Sequence, residues 1–167
     1  MLFVQDHAQV FSVRTVAGVE RRIAATRAAT GEELVVVTVP RLAGAQASGV
    51  VESEAERLFY QEGVRGTLLY VDRDDRRDAV IAQPTAWFDA RHVAAIRRAM
   101  EARFRRGEYD AGLRAVAGDV LAVYDAHAAA SSAGIRKAAP RLRIYAWIAA
   151  ALLAYLVVRG ALRRAGA

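Results

Sequence analysis

Two short apolar runs in the first half of the chain constrain its fold more than any other feature. The first run is ELVVVTVP, Glu33 to Pro40, and the second is TLLYVD, Thr67 to Asp72. Apolar residues without polar alternation are typical of strands that are covered on both faces, and a proline ends the first run. A shorter run, AVIAQ at Ala79 to Gln83, predicts a third strand. The three runs therefore predict a buried sheet.

Segments with helical periodicity lie before, between and after these strands. Ser12 is a good N-cap for a first helix that ends near Gly31, and Asp89 is a good N-cap for a third helix that ends at Gly107. A second helix is predicted before Gly63, and a fourth covers about residues 110–127. Helices on both faces of a covered sheet indicate the α/β class, as a three-layer α/β/α sandwich with a small mixed sheet.

The C-terminal part of the chain differs in composition from the rest. Seven of the 24 Lys and Arg residues, and none of the 18 Asp and Glu residues, follow residue 130. Residues 142–162 are long enough to cross a bilayer as a helix if Arg143 and Arg159 reach the two interfaces. A surface helix would need a polar face, which residues 144–158 lack. We therefore predict a domain at 1–130, a linker at 131–141, a transmembrane helix at 142–162 and a basic tail at 163–167.

The charge distribution also bears on partners and location. Because the excess of positive charge belongs to the tail, the domain is not expected to bind nucleic acid, and the membrane is its predicted partner. Basic residues flank the predicted single span on both sides, so the positive-inside rule gives no orientation. The first residues, MLFVQDHAQVF, do not resemble a signal peptide. Either the domain is cytoplasmic, or the given start lies downstream of a signal peptide.

A cluster of acids follows the second strand and is the first candidate for a functional site. Asp72, Asp74 and Asp75 lie in the sequence DRDDRRD together with three arginines. Crowded carboxylates repel one another unless a cation or an arginine balances them. They are suited to Ca²⁺ or Mg²⁺, and Asp6 and Asp89 are further possible metal ligands. The alternatives are a solvated, self-neutralised loop, a helix-capping role for Asp89, and a salt-bridge role for Arg76.

Other kinds of catalytic site receive little support from the sequence. The chain has no cysteine, and its three histidines are scattered. A G-x-S-x-G elbow, a histidine pair with zinc-ligand spacing and a Walker A loop are all absent from the sequence. Whether the protein is an enzyme is therefore left open, and no catalytic residue is assigned.

Read together, several segments resemble the TPM domain family. The resemblance covers about residues 3–128 and depends on the order of the segments rather than on any single one. The matching segments are FVQDHAQVFS at residues 3–12, TGEELVVVTVPRLAG at 30–44, GTLLYVDRDDR at 66–76, WFDARH at 87–92 and FRRGEYDAGL at 104–113. The sequence departs from the family at Arg65, where members usually carry Asn, and at residues 83–85, where they usually carry a glycine-rich segment with a glutamate.

The resemblance implies an α/β/α sandwich with an acidic surface pocket. It also implies an exported domain on a C-terminal membrane anchor, divalent-cation binding in some members and acid phosphatase activity in plant members. The residues that correspond to the pocket are Asp6, Asp72, Asp74, Asp75 and Asp89, with Arg76 beside them.

Two functions are compatible with these patterns. The preferred one is a membrane-anchored binding or accessory module that presents its acidic pocket to a cation or to a membrane-protein partner. The alternative is a metal-assisted phosphomonoester hydrolase in which a cation held by Asp72, Asp74 and Asp75 activates water. A purely structural domain is a third possibility.

Overall fold

A computed structural model describes residues 2–44, 47, 49–83, 85 and 87–132 of the 167-residue chain. The predicted transmembrane helix and basic tail, and nearly all of the predicted linker, lie outside these residues. No helix among residues 2–132 that the structure describes is both long and apolar enough to cross a membrane. The span at 142–162 therefore stays a prediction.

A four-stranded mixed sheet forms the centre of the domain. Its strands are β1 (Val4–Asp6), β2 (Glu33–Val39), β3 (Gly66–Asp72) and β4 (Arg77–Ala82), in the order β1-β2-β3-β4. The first three strands are parallel, and β4 is antiparallel to β3. The three strands predicted from the sequence are confirmed. The three-residue β1 is too short to give a periodicity of its own and was not predicted.

Four helices cover the sheet, as predicted. They are α1 (Val13–Thr30), α2 (Val50–Gln61), α3 (Ala90–Phe104) and α4, which is described over residues 109–132. The predicted N-caps are present: Ser12 Oγ accepts a hydrogen bond from the Thr15 amide, and Asp89 caps α3. The last helix continues beyond the predicted end at residue 127, because alanines and serines that continue the helix follow.

The two faces of the sheet are covered by different helices. On one face, Val36 and Leu69 belong to the larger core, to which α1, α3 and α4 contribute. On the other face, Val35 and Leu68 belong to a smaller core with residues of α2. Successive residues of a strand point to opposite faces, so every residue of β3 is buried on one side or the other. This arrangement explains the continuous apolar runs in the sequence.

Candidate functional site

Asp72 is the last residue of β3, and its carboxylate is completely buried. Oδ1 accepts a hydrogen bond from the Asp75 amide at 3.0 Å, and Oδ2 accepts one from the Leu42 amide at 2.7 Å. The first bond closes the β3–β4 turn, and the second ties that turn to the segment that follows β2. Both oxygens of Asp72 are thus engaged by the protein's own backbone.

The next two acids of the turn are paired with arginines. Asp74 Oδ1 lies 2.8 Å from Arg73 Nε, and Asp74 Oδ2 lies 3.7 Å from Arg41 Nε. Asp75 Oδ2 is 4.0 Å from the same Arg41 nitrogen. Arginine therefore balances the crowded carboxylates of this turn, which is one of the two possibilities that the sequence left open.

Asp6 lies at the end of β1 and also serves the backbone. Its Oδ1 accepts hydrogen bonds from Thr38 Oγ1 at 2.6 Å and from the Val10 amide at 3.1 Å, and Oδ2 accepts from the Phe11 amide at 2.9 Å. The strand register pairs Asp6 with Thr38, whereas Asp72 pairs with Val39. Because neighbouring residues of a strand alternate, the side chains of Asp6 and Asp72 point to opposite faces of the sheet.

Asp89 lies at the opposite end of the domain from the β3–β4 turn. Its side chain accepts hydrogen bonds from the amides of Arg91 and His92 at the start of α3. The backbone hydrogen bond from His92 lowers the pKa of Asp89, and the His92 side chain adds to this effect. The 15 residues of α3 span roughly 22 Å, so Asp89 is far from the end of the helix that reaches the turn.

The structure thus places the five predicted metal ligands in three separate regions. Only Asp72, Asp74 and Asp75 lie together. In the part of the chain that the structure describes, no three His, Cys, Asp or Glu residues are grouped as metal ligands are. The binding of Ca²⁺ or Mg²⁺ stays a prediction.

A cleft of about 160 Å³ opens beside the β3–β4 turn. The turn contributes Arg73, Arg76 and Arg77, which we call the basic side of the cleft. The acidic side consists of Glu52 from α2, Asp78 from β4 and Glu101 from α3. Apolar contact surface comes from Val71, Phe104 and Tyr109. Asp72 also lines the cleft at the turn, and Arg97 and Arg105 line it beside the three acids. The cleft is therefore polarised only in net charge, which is positive on the turn side and negative between the two helices.

The acidic side is organised around a single guanidinium group. Arg97 Nε lies 3.1 Å from Asp78 Oδ2 and 3.2 Å from Glu101 Oε1, and Arg97 Nη2 lies 4.0 Å from Glu52 Oε1. Arg97 Nη2 also donates a hydrogen bond to the Asp78 carbonyl at 3.1 Å. Glu101 has a second partner in Arg105.

Asp78 is the most perturbed carboxyl group of the cleft. The residue is 9% exposed, and Oδ2 forms no aligned hydrogen bond in the described part of the chain despite its ion pair with Arg97. Burial raises the pKa of Asp78 to about 6; the charge of Arg97 and its side-chain contact with Asp78 oppose this rise, and the negative charges of Glu101 and Glu52 add to it. Perturbed carboxyl groups in clefts are candidates for functional residues.

Of the residues predicted from the sequence, Asp72 and Arg76 line this cleft, and the acids Glu52, Asp78 and Glu101 were not predicted. Arg76 was predicted as a pocket residue and does line the cleft. Asp78 belongs to the same acidic segment, but it was not chosen, because its burial depends on α3 packing over β4. Arg97 and Glu101 have the i, i+4 spacing of a helical ion pair. This spacing was the only feature of the sequence that could have pointed to the acidic side of the cleft.

The family to which the chain belongs follows from a match that extends over most of the domain. A family model described as "TPM domain" matches residues 4–123. The chain belongs to the TPM domain family. The resemblance predicted from the sequence is thereby confirmed.

Solved structures with the same fold come from several bacteria. The N-terminal domain of a protein from P. gingivalis has 26% sequence identity and a TM-score of 0.65, over 75% of this chain and 83% of that chain. The N-terminal domain of the cg2496 protein from Corynebacterium glutamicum has 14% identity and a TM-score of 0.56, over 71% and 76%. The BA42 protein from the psychrophilic bacteria Bizionia argentinensis has 15% identity and a TM-score of 0.55, over 68% and 81%. None of the curated proteins matches the chain.

Proposed function

We propose that this TPM domain is a membrane-tethered binding module whose ligand site is the polarised cleft beside the β3–β4 turn. The observation that carries the proposal is Asp78, a carboxylate held inside the cleft with an oxygen that lacks an aligned hydrogen bond. Arg97 Nε lies 3.1 Å from this oxygen without an aligned hydrogen bond, and buried polar atoms that lack a well-formed hydrogen bond are uncommon in folded proteins. A cationic ligand group in the cleft would offset the negative charge that Asp78, Glu52 and Glu101 share around Arg97.

The tether is supported by the sequence. Residues 144–158 carry no charge, and arginines flank them on both sides. Two of the similar solved structures are N-terminal domains of their proteins, which is compatible with a TPM domain that precedes another segment. In line with the family resemblance, we propose that the domain lies outside the cytoplasm.

Membrane extraction tests the tether. The full chain is expected to remain in the membrane fraction after washing with alkaline carbonate. A variant with Leu152→Arg and Leu156→Arg is expected to be released, because charged residues at the centre of a span cost about 2.5–3.5 kcal/mol each. A full chain that the wash releases completely would contradict the tether.

The side of the membrane is tested by cysteine labelling, since the chain has no native cysteine. Asp119 is an exposed residue of α4, so Asp119→Cys provides one surface thiol. In intact cells, a maleimide that cannot cross membranes should label this thiol if the domain is outside the cytoplasm. Labelling that appears only after lysis would place the domain inside. The unsubstituted chain is the control.

A further inference from the structure

Two charged groups of the cleft, the Asp78 carboxylate and the Arg76 guanidinium, could each bind a ligand group of opposite charge. Within the described residues, Asp78 Oδ2 is buried without an aligned hydrogen bond, and its ion-pair partner Arg97 is shared with two other carboxylates. Arg76 lines the same cleft, and its guanidinium has no hydrogen bond or ion pair within the described residues. A carboxylate oxygen needs a donor or a cation, and a guanidinium needs an acceptor or an anion. A ligand with only one charge would pair with one of these two groups and leave the other without a ligand group of opposite charge.

We propose that the cleft binds a free α-amino acid, with its ammonium group against Asp78 and its carboxylate against Arg76. This inference rests on the proposed function, because it names the ligand of the same cleft. Within the described residues, the acidic side has three carboxylates that share Arg97, and Glu101 alone of the three is also paired with Arg105. An added ammonium group is therefore electrostatically favourable on the acidic side, and a carboxylate is favourable on the basic side.

The size and the remaining surface of the cleft fit such a ligand. Its volume of about 160 Å³ is below the range of about 300–1,000 Å³ that is typical of drug-sized ligands. Val71, Phe104 and Tyr109 offer apolar surface for an aliphatic side chain. The Tyr109 hydroxyl makes no hydrogen bond to any described residue, so it is available as a second donor to the ligand's carboxylate.

The backbone of Arg76 supports a functional role for this residue. Its φ of +52° lies in the left-handed region, which non-glycine residues adopt at a cost of about 1–2 kcal/mol. Glycine would take this conformation without strain. Residues held in such conformations are concentrated at ligand sites, where the strain serves to place a side chain. Here, the turn places the guanidinium beside the cleft.

Isothermal titration of the full chain in detergent micelles with three related compounds tests the proposal. L-Leucine carries both charges, N-acetyl-L-leucine lacks the ammonium group, and L-leucinamide lacks the carboxylate. We expect L-leucine to bind, and we expect the other two to bind at least ten-fold more weakly, because each leaves one charged group of the cleft unpaired.

Matched variants locate the site. Arg76→Gln and Asp78→Asn should each weaken L-leucine binding at least ten-fold. Arg91→Gln and Asp119→Asn remove the same charges from exposed positions outside the cleft and should leave the affinity unchanged. Because Arg76 is exposed, Arg76→Gln tests the proposal even if Asp78→Asn fails to fold.

The remaining outcomes separate this inference from the proposed function. If an N-acetylated peptide with a free carboxylate binds more tightly than L-leucine, and Arg76→Gln weakens that binding, the ligand is a protein C-terminus. The amino-acid proposal is then overturned, and the binding module stands. If neither L-leucine nor the peptide binds, both proposals are overturned. L-Leucine binding that is insensitive to Arg76→Gln and to Asp78→Asn would overturn the assignment of the site.

Discussion

Asp72 is the last residue of β3 and Asp78 is the second residue of β4, and both are buried, but their surroundings differ. Both oxygens of Asp72 accept hydrogen bonds from backbone amides. Asp78 has no such donor on Oδ2 and depends on Arg97, a guanidinium that it shares with two other carboxylates. Asp72 therefore has the features of a structural residue, whereas Asp78 has only a shared ion pair and could accept a further cationic partner.

The comparison shows that burial alone does not distinguish the two roles. What differs is whether the surrounding atoms complete the hydrogen bonds of the carboxylate. A buried carboxylate whose two oxygens both accept hydrogen bonds stabilises the fold. A buried carboxylate with an oxygen that accepts none destabilises the fold unless a ligand or a proton satisfies it. Substitution by asparagine, which has nearly the same shape, should therefore have opposite effects at the two positions.

The largest expected effect is at Asp72. Asp72→Asn replaces one accepting oxygen with an NH₂ group that would face a backbone amide, and it removes the charge that strengthens both bonds. We expect the free energy of unfolding to fall by about 2–3 kcal/mol. Chemical denaturation followed by circular dichroism measures this change.

Asp74→Asn is the matched control for this prediction. The Asp74 side chain is 32% exposed and is paired with arginines. Exposed ion pairs contribute little, so the change should stay within about 0.5 kcal/mol. Equal losses at Asp72 and Asp74 would show that the backbone hydrogen bonds of Asp72 are not what distinguishes the two residues.

The effect at Asp78 should depend on pH. Since burial raises the pKa of Asp78 to about 6 in the folded state, the fold favours the protonated carboxyl group. Its contribution to stability is therefore present at low pH and is lost as the pH rises through about 6. Asp78→Asn should be more stable than the unsubstituted chain at pH 7.5 by about 1 kcal/mol, and this advantage should disappear near pH 4.

Chemical denaturation of the unsubstituted chain and of Asp78→Asn between about pH 4 and pH 7.5 measures the difference in their free energies of unfolding. The contributions of the other carboxyl groups are the same in both proteins and cancel in this difference. Asp119→Asn, at an exposed position, should keep a constant difference from the unsubstituted chain. If Asp78→Asn is less stable at pH 7.5, the ion pair with Arg97 outweighs the burial of the charge, and Asp78 resembles Asp72 after all.

Local rules were sufficient for the helices and for three of the four strands. The apolar runs of β2 and β3 and the caps at Ser12 and Asp89 depend on neighbouring residues, and the structure has them as predicted. The short β1 was not predicted, because it depends on its pairing with β2 at Thr38, 32 residues away from Asp6 in the sequence.

The composition of the cleft could not be predicted in the same way. The acidic sequence DRDDRRD attracts attention to Asp72, Asp74 and Asp75, but their hydrogen bonds and ion pairs depend on Leu42 and Arg41 in another segment. Asp78 is buried because α3 runs back along β4 and brings Arg97 to it. The residues that neighbour Asp78 and Arg97 in the sequence do not indicate that these two side chains meet.

The smallest expected effect concerns the backbone of the turn between the two acids. Arg76→Gly removes left-handed strain and should raise the free energy of unfolding by about 0.5–1 kcal/mol at the expense of ligand binding. Gln9 has nearly the same φ, +53°, and lies outside the cleft, so Gln9→Gly is a close control. Both substitutions should stabilise the chain in thermal denaturation, and only Arg76→Gly should weaken ligand binding. If Arg76→Gly destabilises the chain while Gln9→Gly stabilises it, the arginine side chain holds the turn together. Arg76 would then belong with Asp72 as a structural residue.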